Sequence, residues 1–355
     1  MNISKQIHKL TIAVMTLITV GLAFTSCSTI FDYEGDCSYT YKVKFEYTKN
    51  ILDAEAFAGN VTYVSLYAFD VETGLLAFTA TESGDTLKAK DYMMQLDLDS
   101  GTYDLLAWCG SAVANNKVIV PEVEVGKTTI EEVDCLIDRM SSSEHSSCVL
   151  ENIGNLFHGK ERVTFTDEPG DQIKIVNLTK NTNSVRIVLQ SIQKGQYLSR
   201  DDFDFRIQDH NGNMNYDNSL AACEQMTYHA WAISEISADV DAEVDDDVHK
   251  KIPTRAADST STAVMAELTI GRLMVENEPK LVVYNKTSEA LVLSIPLKDY
   301  ALMVKGYGYS HWSDQEYLDR QDNFTMTFFL DELGTWIASY VIINDWKIVL
   351  QNTEL

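Results

Sequence analysis

The chain has little positive charge. Its 355 residues include 28 lysines and arginines against 53 aspartates and glutamates, which gives a formal net charge of −25 at pH 7. Proteins that bind nucleic acid need a basic surface to match the phosphates, and peripheral proteins on anionic lipid also use cations. The composition therefore argues against both kinds of binding, and we expect no nucleic-acid partner. Solubility at an exposed location is a sufficient reason for so acidic a surface.

The sequence also lacks the motifs of the common catalytic sites. It has no GxSxG nucleophile elbow and no HExxH zinc motif, and no two of its seven histidines are spaced i, i+4. Gly126-Lys-Thr128 resembles the end of a phosphate-binding loop, but Pro121 stands where that loop requires a glycine. The acids of Asp239–Glu243 have the spacing of calcium ligands, yet Val244 replaces the glycine of an EF-hand. We therefore expect neither an enzyme nor a cofactor.

The chain has no apolar run after residue 27 that could span a bilayer. Its N-terminal run covers residues 10–24 and follows Lys5 and Lys9. Basic residues followed by about fifteen apolar ones are typical of a secretory signal. The sequence therefore predicts a signal peptide at residues 1–26.

A cysteine stands at the end of this signal. Phe24-Thr-Ser-Cys27 resembles a lipobox, in which the cysteine receives a diacylglyceryl group and the chain is cut just before it, although Phe24 stands where Leu, Val or Ile is usual. Two or three acyl chains hold a protein on a membrane far better than one, at about 0.8 kcal/mol per buried methylene. We expect lipidation of Cys27, a tether over residues 27–38 and an outer-membrane location exposed at the cell surface. The alternative is a plain signal peptide that leaves Cys27 unmodified.

Five cysteines remain after Cys27, and an odd number cannot pair completely within one chain. They are Cys37, Cys109, Cys135, Cys148 and Cys223. No two of them form a CxxC motif or a zinc-ligand pattern. Cys135 and Cys148 are the closest pair and could form a local disulfide, or most of these residues could be buried thiols that pack as small hydrophobes.

Short alternating segments dominate the rest of the chain. Tyr39–Tyr47 alternates apolar or aromatic residues with polar ones, as a half-buried strand does. Further strands are predicted at Val61–Asp70, Leu75–Thr79, Tyr92–Leu98, Tyr103–Cys109, Gln172–Leu178, Ser184–Ile192, Phe203–Gln208, Val264–Met274, Leu281–Tyr284, Ala290–Pro296, Phe324–Leu330 and Trp336–Ile343. The Asn211-Gly212 dipeptide predicts a turn, and the two helical candidates are Leu52–Ala58 and Thr129–Met140. This spacing favours an all-β fold built as an antiparallel sandwich.

The strand pattern lapses once near the middle of the chain. Ser141–Ser147 consists mostly of small polar residues, so we expect a domain boundary between this segment and Gly159. The predicted domains are a β-sandwich at residues 39–150 and a second at residues 151–355. Within the second, the acidic and then Ser/Thr-rich stretch 239–262 predicts a long exposed loop.

One segment concentrates aromatic side chains. Between Tyr300 and Tyr317 lie Tyr307, Tyr309, His311 and Trp312. Exposed aromatic rings can stack on sugars, so a glycan-binding surface lipoprotein is a second functional hypothesis. The simpler interpretation, which we favour, is that these rings pack in the core.

Several short segments together resemble the FimB-type fimbrial anchor lipoproteins of Bacteroidales, the minor-fimbrium anchoring subunits. The segments, in chain order, are Cys27 with Asp36-Cys37, Tyr39–Tyr47, Asp53–Phe57, Leu66–Asp70, Leu156–Gly159, Val176–Asn183, Tyr317–Gln321 and Asn344–Trp346. The resemblance covers nearly the whole chain, and the order of the segments carries it. It implies two tandem transthyretin-like antiparallel β-sandwich domains with Greek-key-type connections.

The resemblance also implies a structural role. Anchors of this family sit at the base of a fimbria, are held in the outer membrane by lipid, and join fimbrial shaft or accessory pilin subunits. Shaft subunits carry an arginine cleavage site in an N-terminal extension, whereas the first arginine after Cys27 here is Arg139. The expected mechanism of joining is β-strand addition, with Trp336–Leu350 as the donor or edge element. That run could equally be an internal strand of its own domain.

Overall fold

The computed structural model describes residues 39–111, 117–142, 145–193, 195–239 and 260–350. The predicted signal peptide, Cys27, Cys37 and the tether lie outside the described residues, and so does most of the predicted acidic loop, at 240–259.

Strands make up most of the secondary structure, as predicted. The first half contains β1 (Tyr39–Glu46), β2 (Tyr63–Asp70), β3 (Leu76–Ser83), β4 (Met94–Leu96), β5 (Gly101–Gly110), β6 (Val118–Ile119), β7 (Cys135–Ile137), β8 (Met140–Ser142), β9 (His145–Val149), β10 (Leu156–Phe165) and β11 (Gly170–Lys180). The second half contains β12 (Thr182–Ser191), β13 (Phe203–Asp209), β14 (Asn213–Met214), β15 (Met226–His229), β16 (Ala232–Asp239), β17 (Thr260–Gly271), β18 (Lys280–Asn285), β19 (Leu291–Pro296), β20 (Asn323–Leu330), β21 (Tyr340–Ile343) and β22 (Trp346–Val349). Three short helices are described, α1 (Phe57–Asn60), α2 (Leu297–Met303) and α3 (Asp314–Arg320).

The strands form two β-sandwiches, which confirms the predicted fold class. The N-terminal sandwich is one seven-stranded sheet in the order β3-β2-β5-β10-β11-β1-β4, whose strands all contribute to one core. The C-terminal sandwich has two six-stranded sheets, in the orders β16-β17-β12-β20-β21-β22 and β19-β18-β13-β15-β9-β8. A small sheet, β14-β7-β6, lies beside them. Most neighbouring strands are antiparallel, while β12 with β20 and β15 with β9 are parallel.

The strands are not divided between the two sandwiches at residue 150. Strands β8 and β9, before that point, belong to the C-terminal sandwich, while β10 and β11, after it, belong to the N-terminal one. Of the polar segment at 141–147, residues 141–142 lie in β8 and residues 145–147 in β9, and these two strands pair. The described chain divides into two compact units. One consists of residues 41–166 and 172–350, and the other of residues 39–40 and 167–171. The predicted domain boundary at residue 150 stays a prediction. The assignment of strands to the two sandwiches does not change at that residue.

Alternation in the sequence predicts the core strands well. In β1, Tyr41, Val43 and Phe45 are each at most 2% exposed, and the residues between them are half-buried. Strand β5 has no such alternation because both of its faces are covered. Leu105 packs in the core of the N-terminal sandwich, whereas Trp108 packs in a second cluster that is continuous with the C-terminal sandwich.

The helical prediction at Leu52–Ala58 holds only at its end, where α1 begins at Phe57, and the prediction at Thr129–Met140 is wrong. Before α1 the Asn50 side chain accepts hydrogen bonds from the N–H groups of Leu52 and Ala54, which holds a turn there in place of a helix. At Thr129–Met140 a capping box closes a single 3₁₀ turn over Ile130–Glu132, and the chain then extends into β7.

Candidate functional site

The junction between the two sandwiches is built around helix α3. Ser313 caps the helix by accepting a hydrogen bond from the Glu316 N–H, 3.1 Å away. Asp314 and Glu316 lie in its first turn and Arg320 in its last, which suits the helix dipole. The helix buries Tyr317 and Leu318 in the C-terminal core and presents Asp319 to the N-terminal sandwich.

Asp319 is a buried carboxylate with four hydrogen bonds. It is 3% exposed, and Arg272 holds both of its oxygens at 2.8 Å. Lys49, from the loop after β1, donates at 2.7 Å, and Gln315 donates at 2.8 Å. Burial alone would raise the pKa of Asp319, but the hydrogen bonds and charges of Arg272 and Lys49 outweigh it and hold the pKa below its ordinary value. The carboxylate therefore stays ionised and ties the two sandwiches together.

Two further contacts bridge the same junction. Arg320 donates to the Asp53 carboxylate at 3.1 Å. Lys180, at the end of β11, pairs with Asp322 at 2.5 Å, and its side chain is only 5% exposed. Two of the segments that carried the family resemblance, Asp53–Phe57 and Tyr317–Gln321, thus touch each other here.

The segment Leu156–Gly159 is the start of β10, next to this junction. The Leu156 carbonyl accepts a hydrogen bond from the Asn181 N–H at 2.7 Å. His158 donates to the Tyr216 carbonyl at 2.8 Å and lies edge-on to Trp108, and burial lowers its pKa to about 4, so it is neutral. A side chain at Gly159 would come within 2.8 Å of Val176 and Leu178, which explains the glycine.

The aromatic segment supports the junction. Tyr300 and Tyr317 are buried in the C-terminal core, which confirms the packing interpretation for these two residues. The Tyr309 ring stacks on the Trp312 indole at 4.9 Å, and the Arg320 guanidinium lies 4.6 Å from the indole centre. The π surface of Trp312 is therefore already engaged within the chain.

The other two rings of this segment belong to His311 and Tyr307. His311 is exposed and lies 5.0 Å from Trp312 at a tilt. The side chain of Tyr307 is outside what the structure describes. No face of two parallel exposed rings is seen in the described part of this segment, so it gives the sugar-stacking hypothesis little support.

The C-terminal run forms two strands of its own domain. Trp336 bridges to Leu330 and meets the Phe328 ring at 5.7 Å. Strand β21 then pairs with β20, and β22 turns back to pair with β21. Among the described strands β22 is the last of its sheet, so one of its edges has no neighbour.

The remaining predicted residues divide into two groups. Cys27 lies outside the described residues, and its lipidation stays a prediction. Cys109 and Cys135 are buried free thiols, so Cys135 forms no disulfide with Cys148, and burial raises the pKa of both thiols. Within the described ranges no three His, Cys, Asp or Glu side chains gather to hold a metal ion. None of the described helices is long and apolar enough to cross a membrane.

Comparison with known proteins decides the family. Residues 33–352 match the model of the fimbrillin-A associated anchor proteins Mfa1 and Mfa2. The chain belongs to this family. Membership places it among structural proteins associated with the cell surface, and not in an enzyme family.

Relatives of the anchor family agree with this assignment. The minor fimbrium anchoring subunit Mfa2 of Porphyromonas gingivalis is 22% identical over 233 residues, which are 62% of this chain and 66% of that protein. The solved structure of the P. gingivalis fimbrial anchor protein Mfa2 covers 88% of this chain and 99% of its own, with a TM-score of 0.61 at 16% identity, and so shares the fold.

Two structures from Bacteroides thetaiotaomicron are more similar in sequence. A candidate polysaccharide-binding protein is 27% identical, with a TM-score of 0.74 over 90% of this chain and 100% of that one. A candidate adhesin is 30% identical, with a TM-score of 0.73 over 88% of this chain and 97% of that one.

Proposed function

We propose that this protein is the anchor subunit of a surface fimbria. Lipid on Cys27 holds it in the outer membrane, and β-strand addition joins it to shaft or accessory pilin subunits. The family match over residues 33–352 is the observation that carries the proposal. The lipobox-like Phe24–Cys27 and the unpaired edge of β22 support its two finer steps.

The junction suits a protein that has to carry tension. A pull between the tether before β1 and the C-terminal strands passes from one sandwich to the other. The Lys49–Asp319 pair and the Lys180–Asp322 pair cross that boundary, Arg272 holds Asp319 from within the C-terminal sandwich, and both acids are mostly buried. Because buried ion pairs are lost only at a high cost, these contacts keep the two sandwiches together under load.

Electron microscopy of cells and culture medium from a Cys27→Ala strain tests the anchor proposal. We expect fimbriae shed into the medium or abnormally long, and loss of metabolically incorporated palmitate from the protein. Cys37→Ala, ten residues further along the chain, is the matched control and leaves both readouts unchanged. Fimbriae of normal length on Cys27→Ala cells, with the protein itself secreted free, would contradict the proposal.

A second candidate function is glycan binding at the cell surface. The observation in its favour is the likeness to the candidate polysaccharide-binding protein, at 27% identity over most of both chains. A glycan array separates the two functions, because an anchor needs no affinity for sugars. Saturable binding to one glycan class, together with normal fimbriae in the Cys27→Ala strain, would put this function first.

A further inference from the structure

The hairpin of β21 and β22 is closed by two residues in the left-handed region. Asn344 and Asp345 have φ values of 46° and 68° and link Ile343 directly to Trp346. Positive φ at both positions defines a type I′ turn, which matches the twist of the flanking strands. The Asn344 side chain also accepts a hydrogen bond from the Thr325 N–H at 2.7 Å. The hairpin is thereby fixed to β20 and its register is set.

The register decides which backbone groups of β22 are free. In an antiparallel pair, residues that exchange hydrogen bonds alternate with residues that do not. The Leu350 N–H donates to the Ser339 carbonyl at 2.9 Å, so the bonded positions of this strand are Leu350, Ile348 and Trp346. The N–H and C=O groups of Lys347 and Val349 therefore point away from β21, toward the open edge.

The side chains at this edge are unusual for an exposed strand. Trp346 and Val349 are 69% and 70% exposed. Trp346 and Ile348 lie opposite Ile343 and Val341, on the core-facing side, while Lys347 and Val349 lie on the outer side. Large exposed hydrophobic side chains beside unpaired backbone groups are what a strand-accepting edge presents.

The other edge strands of the described sheets are better protected. Strands β4, β6, β8 and β14 have two or three residues each. Strand β19 ends in Pro296, and β3 and β16 are rich in Ser, Thr, Glu and Asp toward their ends. Short, polar or proline-containing edges resist pairing with another chain. Strand β22 is four residues long and has neither proline nor an acidic residue, and the ammonium of its one charged residue, Lys347, lies over the Tyr340 ring at 4.6 Å.

We propose that β22 stays in its own sheet and accepts an extended segment of a fimbrial subunit, which pairs with the backbone of Lys347 and Val349. This inference rests on the proposed anchor function and specifies its acceptor. The segment has apolar side chains on the face that meets Trp346 and Ile348. A second copy of this chain is a poor occupant, because each copy carries a net charge of −25.

Proline substitution tests the backbone pairing directly. Val349→Pro removes an outward N–H that β21 does not use, whereas Val349→Ala keeps the N–H and removes the side chain. The probe is purified sheared fimbriae, applied to full-length lipidated protein in detergent. We expect Val349→Pro to weaken binding at least tenfold and Val349→Ala less than threefold. Equal binding by Val349→Pro and wild type would overturn the proposal.

Residue-resolved hydrogen exchange provides a test that needs no variant. We expect the amides of Lys347 and Val349 to exchange rapidly in the free protein and to become protected with fimbriae bound, while Trp346 and Ile348 are protected in both. Fimbriae that bind without protecting Lys347 and Val349 contradict the proposed edge. Wild-type protein that binds no fimbriae contradicts the anchor function itself, which is a distinct outcome.

A disulfide across the hairpin separates acceptance from donation. Ile342 and Lys347 face each other at a position without hydrogen bonds, so Ile342→Cys with Lys347→Cys can lock β22 to β21. If β22 is an acceptor, the oxidised and reduced forms bind fimbriae equally. Binding lost on oxidation and recovered on reduction means that β22 leaves its sheet, and overturns the proposal. So does a dimer of this chain that Val349→Pro dissociates.

Discussion

The junction around Asp319 and the edge at β22 differ in how far their polar groups are hydrogen-bonded within the chain. At the junction a 3% exposed carboxylate receives four hydrogen bonds from three side chains, two of them cationic. At the edge a four-residue strand leaves the backbone of Lys347 and Val349 open beside a 69% exposed Trp346. A region that is complete within one chain serves that chain's stability. A region left incomplete is where another chain can add contacts.

The largest effect is expected from breaking the complete region. Asp319→Ala leaves Arg272 and Lys49 buried or half-buried with no carboxylate between them. Loss of one partner from a buried ion pair costs about 3–5 kcal/mol. We expect a decrease of that size in the free energy of unfolding, measured by urea denaturation.

An exposed pair of similar geometry is the matched control for Asp319→Ala. Arg162 donates to both oxygens of Asp104 at 2.7 Å, but the Arg162 side chain is 63% exposed. Water and salt screen such a pair, so Arg162→Ala should leave the urea midpoint almost unchanged. Equal destabilisation by the two variants would mean that the buried junction pairs contribute no more to the free energy of unfolding than an exposed pair does.

Asp209 sharpens the comparison because it is buried but incompletely paired. It is 2% exposed, and only one of its oxygens accepts hydrogen bonds, from the His210 N–H at 2.7 Å and Asn277 at 2.9 Å. The other oxygen has no partner among the described residues. Burial raises the pKa of Asp209 from 3.8 to about 6, against the opposing hydrogen bonds and the charges of His210 and Lys298.

This pKa predicts how stability depends on pH. Because Asp209 ionises less readily in the folded chain, its contribution is favourable below pH 3.8 and is lost as the pH rises through about 6. Asp209→Asn removes that ionisation and should stabilise the protein by about 1–3 kcal/mol at pH 7.5, with little change near pH 4. Thermal melts of both proteins across pH 4–8 measure the difference. A parallel shift at all pH values would mean that the charge is not the cause.

The sequence predicts the local parts of this structure. Tyr39–Tyr47 and Phe203–Gln208 alternate cleanly because each strand has one buried face, and both strands are confirmed. Asn211-Gly212 lies, as expected, in the short connection between β13 and β14, although these strands belong to different sheets. Strand β10 was not predicted, since Gly159 and the charged run that follows hide its alternation. Helix α3 was missed because one seven-residue segment spans too few turns to show a period.

The contacts that build the junction could not be predicted from any local pattern. Lys49 and Asp319 are 270 positions apart, and neither residue type signals a buried ion pair where it stands in the sequence. The family resemblance singled out Tyr317–Gln321 and Asp53–Phe57 but gave no reason for them. Their contact through Arg320 and Asp53 supplies one, because both segments lie at the boundary between the sandwiches.

The smallest effect on folding is expected at the open edge. Trp346 is 69% exposed and has no ring partner among the described residues, so Trp346→Ser should change the free energy of unfolding by less than about 0.5 kcal/mol. Trp108 is the matched control: it is 1% exposed, its indole N–H donates to the Val133 carbonyl, and Trp108→Ala should cost about 3–5 kcal/mol. Urea denaturation of the two variants measures both effects.

If Trp346→Ser destabilised the chain as much as Trp108→Ala, the indole would belong to the fold and β22 would be complete without a partner. If Trp346→Ser leaves the free energy of unfolding unchanged but abolishes binding to fimbriae, this side chain serves assembly alone.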